Sequence, residues 1–579
     1  MTERETLRSR LLKRRNALKN EREDWRDHWE ELGDFVLPRR LRFSDRDDKG
    51  RRGKKINTRI VDSTATFALR TLVAGLMTGV TSPARPWFKL TPRSPALAEQ
   101  PEVSRWLHGV SGLLRDIFAA SNVYNALTVG YEDLGLFGTT AIYIEPDFDD
   151  VIRLRPMPMG SYYLASGANG LVDTCYRDLR MTVAQMAEEF GLEACSASAQ
   201  SAYRNGELDQ AYWVFHAIEP HRDRNPTLGD GRNKRWRSVY LEEGAEEGKL
   251  LRESGFDSFP VLAPRWYVTG NDVYGRSPAM DVLGDIKQLQ VMQKRKGQAV
   301  DKQVNPPMQG GPAYGNHHVS LLPGAVNILA DGDLQRQGLR SVYDVRLNLG
   351  DLRQDIFETQ EAVRRGFFAN LFLMISSMDR RQVTATEIAE RRSEKMLALG
   401  PVLERLQNEL LEPLVERTFE IAAAAGILPP APEVLQGLDL KIELQSILVR
   451  DQRVDAIQGI ERLTGYAGGL AQIDPAAGMK VDWAQSVDEM GELLGVPPTI
   501  LRSDEEVAAL QQQSAQRQQM AEGLAMAQQG AGALKDAGAA AQSLDGLQML
   551  QAVMGQGGMT AANTAPDAAA GVTEISGSA

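Results

Sequence analysis

YGRSPAMDVLGDIKQLQVMQKRKGQAVDKQVNPP, residues 274–307, is where the chain changes character. Ser277 and Pro278 have the form of a helix start: a hydroxyl to take an orphan amide, then a ring whose fixed φ suits a first turn. Met280, Leu283, Ile286 and Leu289 follow at helical spacing. The helix must stop by Asn305, because a residue before proline is pushed out of the helical region and Pro306 and Pro307 come next. Lys287, Lys294, Arg295, Lys296 and Lys302 make it basic, and a solvated face is the plain reading of such charge. Residues 306–349 are rich in Gly and Pro and carry strand-like pieces such as VSLLPGAVNILA, which predicts a small inserted β unit. A second helix returns through DLRQDIFETQEAVRRGFF, residues 351–368. Two helices thus leave the main body and re-enter it, with a β unit at the far tip.

The return helix runs into NLFLMISSMDRRQVTATEIAERRSEKM, residues 370–396. Its apolar run, Leu371 to Ile375, is too short for a membrane span and carries no hairpin signal, so it needs a packing partner. Thr384 and Glu387 form a capping box, hydroxyl to the third amide and carboxylate back to the cap amide, which predicts a helix from Thr384. Leu399, Leu403, Leu406, Leu410 and Leu414 give that helix an apolar stripe. Gly400 and Pro401 fall in its middle, where proline removes a donor and strains against the carbonyl four residues back. A bend is expected there, with Pro413 as a second candidate.

Towards the N-terminus, Trp25, Trp29 and Leu32 repeat at helical spacing in a segment that ends at Pro38. Between Val36 and Ile60 ten Lys or Arg stand against three Asp; this reads either as a solvated loop or as a contact for phosphates or an acidic partner. TATFALRTLVAGLMTGV, residues 64–80, is broken by Arg70, Gly75 and Gly79, and a buried helix fits it better than a membrane span. Asn122 to Gly138 reads as a helix entering the strand GTTAIYIE, ended by Pro146. VIRLRP and LVDTCYRDL read as strands, and RWRSVYLEEGAEEGKLLRESG as a hairpin. The first half is therefore α+β. Residues 441–502 continue in helical pieces. From Ser503 the chain is rich in Gln, Ala and Gly, helical at first and expected to be disordered towards Ala579.

At 579 residues the chain needs roughly three or four structural regions, and 42% hydrophobic with 25% charged residues lies in the globular range. A net charge of −11 argues against a protein that grips nucleic acid through its overall charge. Cys175 and Cys195 are too few for a disulfide framework or zinc site, and the first residues lack an apolar core of signal-peptide length, which argues against export by that route. GRRGKK, residues 50–55, lacks the spacing of a phosphate loop, so an ATP motor is disfavoured. The six histidines are scattered, and His317 beside His318 reads as a loop pair. With no G-x-S-x-G and no isolated carboxylate pair, no enzyme, cofactor or metal is expected.

Three stretches in order, GLMTGVTSPARPWFKL (75–90), RWYVTGNDVYGRSPAMDVLGDIKQL (265–289) and VTATEIAERRSEKMLALGPVLERLQNELLEPLVER (383–417), together resemble the podovirus-type head-to-tail connector, or portal, family of tailed bacteriophages. The resemblance spans roughly residues 10–510. It implies a ring, usually of twelve subunits, at one capsid vertex around a DNA channel. By that likeness residues 1–270 are the α+β wing, 271–305 the first stem helix, 306–349 the clip, and 350–369 the second stem helix. Residues 370–383 are then the tunnel loop, 384–502 the long bent helix with wing and crown, and 503–579 the tail. The tunnel loop would bring Leu371, Phe372, Met374, Met378, Arg380 and Arg381 to the channel, with Lys287, Lys294 and Lys302 facing it from the stem.

Implied partners are further copies of the chain, the major capsid and scaffolding proteins, the terminase large subunit during packaging, a tail adaptor afterwards, and double-stranded DNA passing without base reading. The place implied is the virion's portal vertex, after assembly in the host cytoplasm. The ring is expected to close through the stem helices and the leucine stripe. A conduit should touch DNA without holding it, and twelve copies at −11 each carry about −130, which suits that need. The alternative is another phage structural protein, of the tail or internal core, without a channel.

Overall fold

The computed structural model describes residues 6–40, 57–304, 308–309, 340–341, 349–376, 399–496 and 506–521, apart from scattered positions within them. Helix α1 (Leu7–Val36) opens the chain, its first turn capped by Thr6 Oγ1, which accepts from the Ser9 amide at 3.2 Å. After α2 (Thr64–Gly79) come β1 (Phe88–Pro92), the short α3 (Pro95–Ala98), α4 (Pro101–Ala120) and α5 (Val123–Phe137). Strands β2 (Ala141–Asp147) and β3 (Val151–Met157) pair with each other, and β2 also pairs with β9 (Val261–Leu262). The largest sheet is a five-stranded antiparallel meander of β4 (Tyr162–Ser166), β5 (Val172–Thr182), β6 (Ala211–Pro220), β7 (Trp236–Glu242) and β8 (Arg252–Phe256). Helices α6 (Val183–Phe190) and α7 (Ala197–Arg204) sit in its β5–β6 connection. All named strand pairs are antiparallel, and helices lie beside the sheets rather than alternating with parallel strands, so the fold is α+β.

The α1 helix bridges two cores. Its first half lays Leu11 and Leu18 on Tyr163, Tyr176 and Phe215 of the five-stranded sheet, while Trp29, Leu32 and Val36 enter the main core. Its cations are absorbed by the sheet: Arg15 pairs with Asp178 at 2.7 Å, and Arg22 donates to the carbonyls of Gly160 and Tyr162 while lying over the Tyr163 ring. As expected, the 64–80 stretch is a buried helix; among the described residues no helix is long and apolar enough to cross a membrane. Close packing of α2 on α5 needs Gly135, where a Cβ would press into Leu69.

Three local readings change. Strand β2 runs through Pro146, opposite Ile152, because β9 covers only Ile142 and Tyr143; at Pro146 the second edge of β2 is open and no ladder donor is missed. The helix opened by Ser277 is a short α8 (Pro278–Asp281), then a break at Val282, then α9 (Leu283–Val304). Residues 440–444 form a strand, β12 (Leu440–Leu444), paired with β1 from Phe88↔Leu444 to Pro92↔Leu440. Helix α10 (Leu349–Gly366) returns antiparallel to α9, and α11 (Ala369–Ser376) follows. Then come α12 (Gly400–Leu406), a π-helical turn at Gln407–Leu411, α13 (Glu412–Ala424), α14 (Ile447–Ala471) and α15 (Trp483–Leu494).

Residues 506–521, described by themselves, are helical with exposed side chains, which agrees with the start expected for the Gln-rich region.

Candidate functional site: the helix pair and its root

Helices α9 and α10 pack on each other, and their root is built into the main core. Ser277 accepts from the Met280 amide at 3.1 Å and donates to the Leu136 carbonyl at 2.8 Å, which fixes where the first helix leaves. Met280, Leu283, Ile286 and Leu289 are all buried, as their spacing predicts. On the return, Val363 and Phe367 are fully buried. The two helices approach at Gly366, where any Cβ would overlap Val282, the break between α8 and α9. At the far end the described part of the insertion is closed by β10 (Met308–Gln309) on β11 (Arg340–Ser341), an antiparallel pair; the rest of 306–348, with the strand expected in VSLLPGAVNILA, lies outside the described residues.

A polar knot locks the pair to the segment before α2. Gln290 Oε1 accepts from the amides of Val61 and Asp62 at 2.7 Å each, and its Nε2 donates to the Asp62 carbonyl at 3.0 Å. The Asp62 carboxylate takes Gln293 Nε2 from α9 at 2.8 Å and Gln360 Nε2 from α10 at 2.9 Å on one oxygen, and the Thr64 amide at 2.8 Å on the other. Burial alone would raise the Asp62 pKa, but the hydrogen bonds from Thr64, then Gln360 and Gln293, outweigh it and hold the carboxyl below its ordinary value. One carboxylate therefore ties both helices to the N-terminal region. The sequence reading missed it, and the only signal was three amide side chains on facing helical positions. Beside the knot, Phe67, Thr71, Arg364 and Leu373 help line a cleft of about 520 Å3.

A second anchor holds the long helix. Pro413 removes the amide that would bond to the carbonyl of Glu409, and the turn before it widens to π geometry, with the Glu412 amide donating to Gln407 O. That turn carries Glu409, which accepts from Arg265 three times, from N at 2.9 Å, Nε at 3.1 Å and an Nη at 2.6 Å, and from Arg405 at 3.1 Å. Arg265 also donates to the Gly170 carbonyl at 2.7 Å, and its side chain is 2% exposed. The helix expected ahead of Gly400 and Pro401 lies outside the described residues; Pro401 itself stands in the first turn of α12, where its missing donor is harmless, and the irregularity within the described helix is at 407–411, ahead of Pro413.

The site residues named from sequence separate into three groups. Leu371 and Phe372 are 5% exposed in the chain's own core, with the Phe372 ring over Gly75 of α2, so this apolar pair is not offered to a channel. The leucine stripe is likewise internal: Leu399, Leu406, Leu410 and Leu414 are buried and Leu403 packs against the same core, which removes it as a ring interface. Met378, Arg380, Arg381, Thr384 and Glu387, with the side chain of Met374, lie outside the described residues. On α9, Lys294 and Lys302 are exposed, while Lys287 is drawn to Glu31 of α1 at 2.8 Å. Of the basic 36–60 segment, Arg40 is committed to the buried Asp133, donating to it through Nε at 2.8 Å and through an Nη; burial pushes the Asp133 carboxyl up to about 6 against that pull. Residues 41–56 lie outside the described residues.

The described residues contain no group of three or more His, Cys, Asp or Glu side chains suited to a metal. A family model described as bacteriophage head to tail connecting protein matches residues 8–501. A "Probable portal protein" of Bordetella phage BPP-1 is 45% identical over 513 residues, covering 89% of this chain and 92% of that protein. A "Portal protein" of Salmonella phage epsilon15 is 44% identical over 514 residues, covering 89% and 92%. Among solved structures, a chain from the neck of an empty GTA particle is 12% identical with a TM-score of 0.34, covering 76% of this chain and 95% of that one; so loose a superposition bears on nothing further. The chain belongs to the family of bacteriophage head to tail connecting proteins.

Proposed function

We propose that this chain is the portal subunit of a tailed-phage capsid, a structural part that assembles into a ring at one vertex and conducts double-stranded DNA in packaging and ejection. The observation that carries the reading is the rooted helix pair: α9 leaves the core at Leu283, a β-closed insertion follows, and α10 returns to the core at Val363 and Phe367. At 22 residues α9 is about 33 Å long, enough to form the wall of a channel when repeated around an axis. Identity of 44–45% to chains named portal protein supports the same reading.

In it, α9 and α10 are the stem, the insertion between them the clip, residues 1–270 the wing, and residues from 377 the approach to the channel, with Arg380 and Arg381 near passing phosphates. Exposed apolar side chains on the pair and its root, Phe67, Phe357 and Leu373 among them, replace the leucine stripe as candidates for contact between subunits. The clip would meet the terminase large subunit during filling and the tail adaptor afterwards, and the wing the capsid and scaffolding proteins, in a virion assembled in the host cytoplasm. ATP hydrolysis would belong to another chain.

The test is electron microscopy of the purified protein, classified for end-on views. Rings of about twelve subunits around an open channel are expected. A monomer or a closed assembly would favour a tail or internal-core role. In particles, Arg380→Glu with Arg381→Glu should impair DNA filling or retention while leaving rings intact; normal filling would remove these residues from the channel.

A further inference from the structure

The five-stranded sheet treats its arginines in two ways. Several around the sheet are paired: Arg10 and Arg15 of α1 with Glu219 at 2.9 Å and Asp178 at 2.7 Å, and Arg252 of β8 with Glu189 at 2.8 Å. In the long connection between β6 and β7, residues 221–235, they are not. Arg222, Arg224, Arg232 and Arg235 have no acidic side chain within ion-pair distance among the described residues, and only Lys234 is satisfied, by Asp257 at 2.6 Å. Five cations stand there against Asp223 and Asp230, in a chain whose net charge is −11.

The loop is also built rather than loose. The His221 amide donates to the Arg235 carbonyl at 2.8 Å and closes the neck. Asn233 holds the two arms together: its Oδ1 accepts from the Asn225 amide at 2.9 Å, and its Nδ2 donates to Asp230 Oδ1 at 2.7 Å. Asn225 Oδ1 accepts from the amide and hydroxyl of Thr227. Four guanidiniums are thus carried on a shaped turn, three of them exposed and Arg224 half-buried.

We propose that loop 221–235 is a contact for the phosphate backbone of duplex DNA. Guanidinium forks match phosphate oxygens in pairs and read no sequence. A protein partner would call for an apolar centre inside a polar rim, and the loop offers a single large exposed apolar side chain, Leu228. Single-stranded nucleic acid would call for aromatic platforms, and the one aromatic at hand, Trp236, is partly buried and donates through Nε1 to the Asp173 carbonyl. The choice of DNA as the available polyanion rests on the portal reading; the loop's affinity for a duplex does not depend on a ring forming.

The test is binding of the full chain to a random-sequence 30-base-pair duplex, by fluorescence anisotropy between 50 and 200 mM NaCl. Changing Arg222, Arg224, Arg232 and Arg235 together to Gln should lower the slope of log K against log salt by about 3–4, since each phosphate contact contributes about 0.9. Affinity at the lowest salt should fall by at least tenfold, while the matching all-Lys variant keeps the slope and the melting temperature of both stays at wild type. An unchanged slope in the Gln variant overturns the proposal. So does a loss confined to polyglutamate binding, which would make the partner an acidic protein. End-on micrographs of the same samples report separately on the portal reading, so failure of one is distinguishable from failure of the other.

Discussion

Replacing Gly75 by Ala asks whether the apolar run after the helix pair is really rooted inside its own chain. Gly75 lies in the interior of α2, and a Cβ there would fall within the ring of Phe372, which is 5% exposed in the main core. Two effects of Gly75→Ala oppose each other. Helix propensity favours alanine by about 0.5–1 kcal/mol. Overpacking a filled core costs about 1–3 kcal/mol, because ring, α2 or α11 must move. The net expectation is a loss of about 1–2 kcal/mol. Phe372→Ala alone should cost about 3–5 kcal/mol as a large-to-small change. With the ring gone the methyl has room, only the propensity gain remains, and Gly75→Ala should then stabilise by up to about 1 kcal/mol. The effect of one methyl thus changes sign with the residue at 372, a coupling of about 2 kcal/mol in a double-mutant cycle. Urea midpoints followed by tryptophan fluorescence for the four proteins measure it. If Gly75→Ala stabilises equally in both backgrounds, Phe372 does not pack on α2, and the run from Leu371 returns as a candidate for contact with the channel or a neighbour.

The buried pair at the π turn should be costly to break: Glu409→Gln leaves the Arg265 charge without its counterion and should lose about 3 kcal/mol in a thermal or urea melt, whereas Arg265→Met with Glu409→Leu should recover much of that. A loss below about 1 kcal/mol for the single change would mean the pair is hydrated. Asp62→Asn should cost about 1–3 kcal/mol at pH 7, since two glutamine donors lose a charged acceptor. Because the folded Asp62 pKa is depressed, the stabilisation from its charge is present above the ordinary value of 3.8 and lost as pH falls through the folded one. Urea midpoints at pH 7, 4 and 3 should therefore converge between wild type and Asp62→Asn, and a constant gap would refute the role given to the carboxylate.

What could be read in the sequence was whatever local chemistry decides. The Trp25, Trp29, Leu32 repeat, the Ser277 cap and the two-helix excursion depend on neighbours within a few turns, and each is found. The leucine stripe and the Leu371–Phe372 pair were correctly apolar, but hydrophobicity carries no address: a buried leucine looks the same whether its partner is in the same chain or the next. The strand at 440–444 was lost in a helical stretch because its pairing is supplied by residues 88–92. The π turn depends on Pro413, visible, and on Arg265, 144 positions away, not visible. The Asp62 knot is similar, with glutamine partners more than 220 positions distant.

The β1–β12 pairing ties Thr91 to Lys441, 350 positions on. At about 5–20 residues per second a ribosome needs roughly 20–70 s to travel that far. Throughout that interval β1 is an unpaired edge, open to any strand that passes. Every chain released short of residue 440 keeps that edge permanently. The pairing thus records that synthesis has passed residue 444, and the interval before it is the time when the 88–92 strand is most open to strands of other copies.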